Sequence, residues 1–462
     1  MNMKREVGPL DHRRRRTRCQ PCVRRRIKCQ GGSPCEYCTR TKKKCLPQTI
    51  SATGVHFISS ESCEETMQVA GLSTQINIHS DIPYLDYFDL FMKRCLFTDE
   101  FNGLAADLLP LAQTCLPLGQ VLTAIGALEA SRRATVKSSR GQQSPYTVAF
   151  ASYGESIKTL RARLQVPDAF RCGGVLWCTL LLGLFELMIE TSGDRWAKHM
   201  LYGTARIIQS VAATRRSCQL DRRLFGAFRS LEANRAIMYG EDTFLSQEPW
   251  SKSRRELVAN PASQVETTFD LLIEISSFSK AFFDRIESIP EALRPGHPAM
   301  QALAEEGRCF QQRFRSWHDQ MILHDDHHDP YCMLALSNYN ALQLFLSMNY
   351  TFYTCWEEQD IPSLRAHEVE AHVTAVVALS NQILEHSNMP GVLLLFPLRM
   401  AGANTSQSSQ KEETVRLLDR IAQKGFAVSG RIKRDLQELW EYRHAERVRD
   451  DISKQESLCI EK

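Results

Sequence analysis

Six cysteines within 27 residues constrain this chain more than any other feature of its sequence. Residues 19–45 read CX2CX6CX5CX2CX6C, so the half-unit CX2CX6C occurs twice around a joint that contains Gly-Gly-Ser-Pro. Zinc takes four tetrahedral ligands, thiolate is its commonest structural partner, and a CX2C pair can bind one ion from a single turn. Six thiols fill two tetrahedra if one sulfur from each half bridges both ions. The spacing therefore predicts a binuclear zinc cluster. Its ligands are Cys19, Cys22, Cys29, Cys35, Cys38 and Cys45.

This pattern resembles the fungal binuclear zinc cluster (Zn2Cys6) transcription factors, in which two such halves are joined by a variable loop. The resemblance implies two Zn2+ ions, with Cys19 and Cys35 as the bridging ligands and the other four cysteines as terminal ligands. It also implies a nuclear protein that binds double-stranded DNA at CGG-like triplets and regulates transcription by RNA polymerase II.

The segment between Cys22 and Cys29 carries four cations and no acid, and we expect it to form a short helix. In the family, the base-reading position lies four residues after the second cysteine, which is Arg26 here, where lysine is usual. Arginine can bind guanine O6 and N7 bidentately, so we predict base contacts by Arg26 and its neighbour Arg25. Other cations are predicted to contact phosphates, which position the protein without specifying a sequence. These are Arg24, Lys28, Lys42, Lys43 and Lys44.

Residues 1–18 form a basic arm that ends at the first predicted ligand. Its cations are predicted to track phosphates or reach the minor groove, and such a run is also typical of a nuclear localisation signal. They are Arg13, Arg14, Arg15, Arg16 and Arg18. Residues 1–45 hold 15 Lys and Arg against three acidic residues, or +12, whereas the remaining 417 residues carry −8. This segregation is typical of a nucleic-acid-binding arm on an acidic body, and it predicts DNA binding that weakens steeply with salt.

The rest of the chain predicts a mostly α fold: a linker at 46–81, a large all-helical domain at 82–445 and a polar tail at 446–462. The linker has no sustained heptad pattern of the kind that forms a coiled coil. The cluster therefore binds DNA either as a monomer or as a homodimer paired through the helical domain. The run 175–189 is apolar nearly all round but too short to span a bilayer, so it predicts a buried central helix, and we expect no contact with a membrane.

Several short motifs of the helical region resemble the fungal-specific regulatory domain that accompanies such clusters. The resemblance implies a regulatory body that senses a metabolite or partner, contacts coregulators or the transcription machinery, and serves metabolic or secondary-metabolite genes. The motifs are Trp196–His199 with Gly203–Ala205, Phe228–Glu232 with Arg235, Thr243–Ser246 with Trp250, and Pro397–Arg399.

Two other classes of function stay open at this stage. A zinc-dependent chromatin-associated scaffold or corepressor would hold nucleic acid without sequence preference. An enzyme would need a pocket with paired titratable groups, and the chain has neither a Gly-rich phosphate loop nor a nucleophile elbow, so we predict no catalysis.

The loop His324–Asp329 is interpreted as solvated rather than metal-binding, and His199 as a packed helix-face histidine rather than a general base. The ten cysteines outside the cluster lack ligand spacing and are predicted to be mostly buried.

Overall fold

The computed structural model describes residues 36–40, 44, 78–98, 101–133, 143–166, 173–212, 219–248, 250, 264–323, 329–356 and 359–460. The chain divides into two compact units, Met1–Gly71 and Leu72–Lys462. In the first unit the described element is a short helix, α1, over Glu36–Arg40. The described part of the second unit is built from helices and contains no β-strand, which confirms the predicted mostly α fold.

The second unit begins with a group of helices that pack around the apolar run 175–189. These are α2 (Ile78–Met92), α3 (Leu104–Thr114), α4 (Leu116–Arg132), α5 (Pro145–Arg163), α6 (Gly173–Ile189), α7 (Asp194–His199), a π-helical turn (Met200–Thr204) and α8 (Ala205–Ala212). Helix α4 packs against α2, α5 and α6. Gly126 permits the close approach of α4 to α2, because a Cβ at this position would overlap the Tyr84 carbonyl oxygen.

The second half of the unit consists mostly of longer helices. These are α9 (Gln219–Tyr239), α10 (Gln264–Ser288), α11 (Pro298–Ile322), α12 (Pro330–Thr351), α13 (Ala366–His386), α14 (Leu395–Asn404), α15 (Ser408–Gln423) and α16 (Ser429–Ile460), with 3-10 turns at Phe244–Ser246, Glu291–Leu293 and Gly391–Leu394. Helix α12 packs against α10, α13 and α14, and α9 packs against α6 and α10. Helix α16 continues to Ile460, so the segment after residue 445, which is predicted to be a polar tail, is helical as far as that residue.

Prolines fix where three of the helices begin. Pro145, Pro298 and Pro330 each occupy the first turn of a helix, where the missing N–H costs nothing because no carbonyl of the helix precedes it. Ser144 and Asp329 cap two of these helices by accepting hydrogen bonds from the backbone N–H of Thr147 and Cys332. Asp329, from the His324–Asp329 loop, therefore serves as a helix cap; residues 324–328 lie outside the described residues.

Helix α6 is the central element of the first half of the domain. Every residue from Gly174 to Met188 is buried, which confirms the predicted buried central helix. A helix that is apolar on all sides is stable in water when other helices shield all of its sides from the solvent. Its C-terminal end is held by the Arg132 guanidinium, which donates a hydrogen bond to the Met188 carbonyl at 2.7 Å. Within the described ranges, no helix combines the length and the apolar character needed to cross a membrane.

Candidate functional site

The predicted zinc and DNA-contact residues fall almost entirely outside the described part of the chain. Cys38 lies in α1 with a fully buried side chain, and Lys44 is exposed. The other predicted ligands, base contacts, phosphate contacts and basic-arm residues lie outside the described residues, so these assignments stay predictions. Among the residues that are described, no three His, Cys, Asp or Glu side chains are grouped to hold a metal ion.

A buried polar centre lies in the helical domain, where α6 carries its one charged residue, Glu186. The Glu186 side chain is 6% exposed, and a carboxylate at such depth requires partners because burial without them costs several kcal/mol. Tyr153, on α5, donates a hydrogen bond to Glu186 Oε1 at 2.7 Å. His199, at the end of α7, places its Nδ1 at 3.5 Å from the same oxygen. Three helices therefore meet at this carboxylate.

A hydrogen bond of the second ring nitrogen, Nε2, fixes the orientation of the His199 ring. Nε2 lies 2.8 Å from the carbonyl oxygen of Thr179, and because a carbonyl only accepts, Nε2 carries a proton. Burial disfavours the charged form of His199, but Glu186 and the Thr179 carbonyl outweigh the burial, and the pKa of His199 is raised above its ordinary 6.5. The pKa of Tyr153 is raised by its burial and by the neighbouring Glu186 charge, so Tyr153 is a hydrogen-bond donor at this site.

The backbone after His199 departs from the regular helix. Met200–Thr204 form a π-helical turn in which the Ala205 N–H bonds to the Met200 carbonyl, five residues earlier. Such turns are rare, occur mostly as single insertions and are frequent at functional sites. In this chain the turn directly follows the histidine that pairs with Glu186. The irregular backbone and the buried polar centre therefore coincide.

A second polar network is built by the motif Phe228–Glu232 with Arg235 on α9. Arg235 and Glu232 are both fully buried, and the guanidinium donates to the two carboxylate oxygens at 2.7 and 2.8 Å. Arg235 also donates to Glu241 at 2.7 Å. Burial disfavours its charge, but Glu232 and Glu241 outweigh the burial and raise the pKa of Arg235. This network joins α9 to the loop before Phe244–Ser246.

The partner of His199 is the feature that sequence reasoning missed. The interpretation of His199 as a packed helix-face residue rested on the absence of a carboxylate partner in any motif. Glu186 supplies one, from a segment 13 positions earlier. A signal was present, because one acid in an otherwise apolar helix must be paired or neutral. The sequence could not show which residue would reach it.

In its described residues, the second unit is an all-helical domain with ion pairs buried in its core. A family model described as the fungal specific transcription factor domain matches residues 83–454. The chain therefore belongs to this family of transcription regulators. Comparison with curated proteins and with solved structures gave no match.

Proposed function

We propose that this chain is a nuclear transcription regulator that binds double-stranded DNA in a sequence-specific way through a two-zinc, six-cysteine cluster. It acts on genes transcribed by RNA polymerase II and reads CGG-like triplets. The observation that carries the proposal is the repeated CX2CX6C unit at residues 19–45, on the same chain as a domain of the fungal specific transcription factor family.

The chemistry of the donor set supports the zinc part of the proposal. Six thiols in two equal halves suit two zinc ions that share two sulfurs, and zinc supplies the cross-links that a module this small needs in order to fold. Cys38, described as fully buried in α1, suits a structural ligand, because a sulfur shielded from water is protected from competing ligands. The ten cysteines outside the cluster are scattered singly, as in a protein of a reducing compartment.

Charge supports the DNA part. The formal charge of +12 over residues 1–45 stands against −8 over the rest, so the positive field lies where the base and phosphate contacts are proposed. Arg25 and Arg26 read base edges in the major groove, whereas the lysines at 42–44 bind phosphates. The helical domain then couples occupancy of the site to transcription through contacts with coregulators.

Selection from a pool of random duplex DNA tests the proposal. The zinc-loaded full chain is used at physiological salt, and a Cys22→Ser chain serves as the matched control. We expect enrichment of a CGG-like triplet by the wild-type chain and none by the control. One triplet indicates a monomer, and two triplets at fixed spacing indicate a pair of chains. If the wild-type chain retains DNA but enriches no sequence, the specific function is wrong and the chain is a nonspecific scaffold.

A further inference from the structure

Helix α12 contains no acid, lysine, arginine or histidine among its 22 residues, and most of them are buried. Its ionisable side chains are those of tyrosine and Cys332. A group that titrates between pH 5 and 8 must therefore reach this helix from a neighbour. Helices α11 and α13 both pack against α12. Each brings one half-buried histidine to it, His318 on α11 and His372 on α13.

Tyr339, a buried residue of α12, contacts both of these histidines. The His318 ring stacks on the Tyr339 ring with centroids 4.4 Å apart and an angle of 15° between the ring planes. Trp317 also stacks on the Tyr339 ring, at 5.7 Å. The His372 ring meets the same ring edge-on at 6.3 Å. One phenol ring therefore joins α11 and α13 to α12.

A hydrogen bond to α12 fixes the His372 ring. Its Nδ1 lies 2.7 Å from Asn340 Oδ1, and because an amide oxygen only accepts, Nδ1 carries a proton. In the neutral ring, Nε2 is then the nitrogen without a proton. Acid adds its proton at Nε2, so the bond to Asn340 survives while the ring gains a charge.

The surroundings of both imidazoles disfavour that charge. Burial lowers the pKa of His318, and the nearby Asp319 carboxylate offsets the burial only in part. Burial also lowers the pKa of His372; Glu368 opposes this effect, and the charge of His318 adds to it. Both rings are therefore mostly neutral at pH 7, and a proton on one makes protonation of the other harder.

Other charged groups around these helices are engaged elsewhere. Arg315, on α11, is the cation that acts on Tyr339. Helix α10 packs against α11, and helices α14 and α15 pack against α13. Charged side chains of these three helices are held by other partners: Asp270 by Arg229, Glu274 by Arg313, Arg399 by the Met238 carbonyl and Arg420 by Asn381. Asp319 and Glu368 are thus the carboxylates that act on the two imidazoles.

We propose that His318 and His372 form an acid-sensitive clamp, in which two neutral imidazoles hold α11 and α13 to Tyr339 and protonation of both releases the C-terminal turns of α11 from α12. Release exposes Trp317 and Tyr339, which are buried in the closed clamp. The clamp lies wholly within the helical domain and does not depend on DNA binding, so the two proposals fail separately.

The sign of the pH dependence follows from the direction of the two shifts. Both pKa values are lowered, so the stability that the clamp contributes is fully present above the ordinary pKa of 6.5 and is lost as the pH falls below it. His199 acts in the opposite direction. A local measurement on α11 is therefore needed, because the melting of the whole chain would mix the two effects.

Hydrogen exchange of the zinc-loaded full chain, read by mass spectrometry at pH 7.5 and pH 5.5, provides that measurement. Rates are divided by the intrinsic exchange rate at each pH. We expect peptides within 311–322 to open more often at pH 5.5, by up to about tenfold from each imidazole per pH unit below 6.5. Peptides within 300–308, at the start of the same helix, should keep their rate. Titration of the histidine Cε1–H resonances should place both pKa values below 6.5.

The double variant His318→Gln with His372→Gln removes both titrating groups. It should lose the acid-induced opening of 311–322, whatever its exchange rate at pH 7.5. His386→Gln is the matched control, because His386 lies exposed on α13, and it should respond to acid like the wild type. The proposal is overturned if wild-type 311–322 exchanges equally at both pH values, if the double variant still opens in acid, or if either histidine titrates at or above pH 6.5.

Discussion

The buried pair Arg235–Glu232 offers the sharpest test of how the helical domain is held together, through the substitution Glu232→Gln. The exchange keeps the size of the side chain and removes its charge. Arg235 then loses one of its two carboxylate acceptors and keeps Glu241, whose side chain is 31% exposed. Removal of one partner from a fully buried ion pair costs about 3–5 kcal/mol, because the other charge stays buried and is no longer compensated. Since Glu241 remains, we expect a loss near the lower end, about 3 kcal/mol.

Urea unfolding of the full chain, followed by far-UV circular dichroism, measures this loss as a shift of the midpoint at an unchanged slope. Glu306→Gln is the matched control, because Arg285–Glu306 joins two side chains that are 53% and 43% exposed. An exposed pair contributes about 0–1 kcal/mol. A double variant, Glu232→Met with Arg235→Met, should cost less than Glu232→Met alone, since no unpaired charge is left in the core.

Two results would refute this reasoning. One is a midpoint for Glu232→Gln that matches the midpoint for Glu306→Gln, which would mean that the pair adds no more than a surface contact. The other is a loss of unfolding free energy in the double variant that equals the sum of the losses in Glu232→Met and Arg235→Met measured separately. That result would mean that the two side chains do not interact.

Three further predictions concern the cluster and the polar centre. In binding competition between selected and random duplexes, Arg26→Ala should lower the discrimination between bases at one position by about 1–3 kcal/mol. Lys43→Ala should instead weaken binding to all sequences alike. An equal loss of specificity from both variants would contradict the assignment of Arg26 to a base and Lys43 to a phosphate. Cys35→Ser should release both zinc ions in metal analysis, and one zinc retained in a folded arm contradicts bridging. The pKa of His199 is raised, so its pairing stabilises the fold below its ordinary pKa of 6.5 and is lost as pH rises through the raised value. The melting temperature of the wild type should therefore exceed that of His199→Gln most below about pH 6.5, and the difference should shrink as the pH rises above that value. A difference that does not change with pH would contradict this account of the pairing.

The helical fold could be predicted from the sequence because its signals are local. The apolar run 175–189 has a length and composition that fit a covered helix, and the structure buries it. Pro145, Pro298 and Pro330 fix helix starts through the geometry of proline itself. Each of these features depends on residues that are neighbours along the chain, so one sequence suffices to recognise it.

The polar centre depends on contacts that no local pattern encodes. Glu186 and His199 lie on different helices, and Tyr153 reaches them from a third. The π-helical turn after His199 likewise has no sequence signature beyond Gly203. Such contacts follow from how the helices pack around α6, which periodicity does not determine. The zinc cluster is the opposite case, because its prediction rests entirely on spacing and on a resemblance.

The most direct test of the central claim is the number of zinc ions carried by each chain. Native mass spectrometry of the full-length protein, purified without chelators, counts them, and DNA binding is measured on the same sample before and after removal of the metal. Two zinc ions per chain, with DNA binding lost on their removal and regained on their return, are the expected result. A chain that carries fewer than two zinc ions while it still binds its selected DNA sequence would contradict the account.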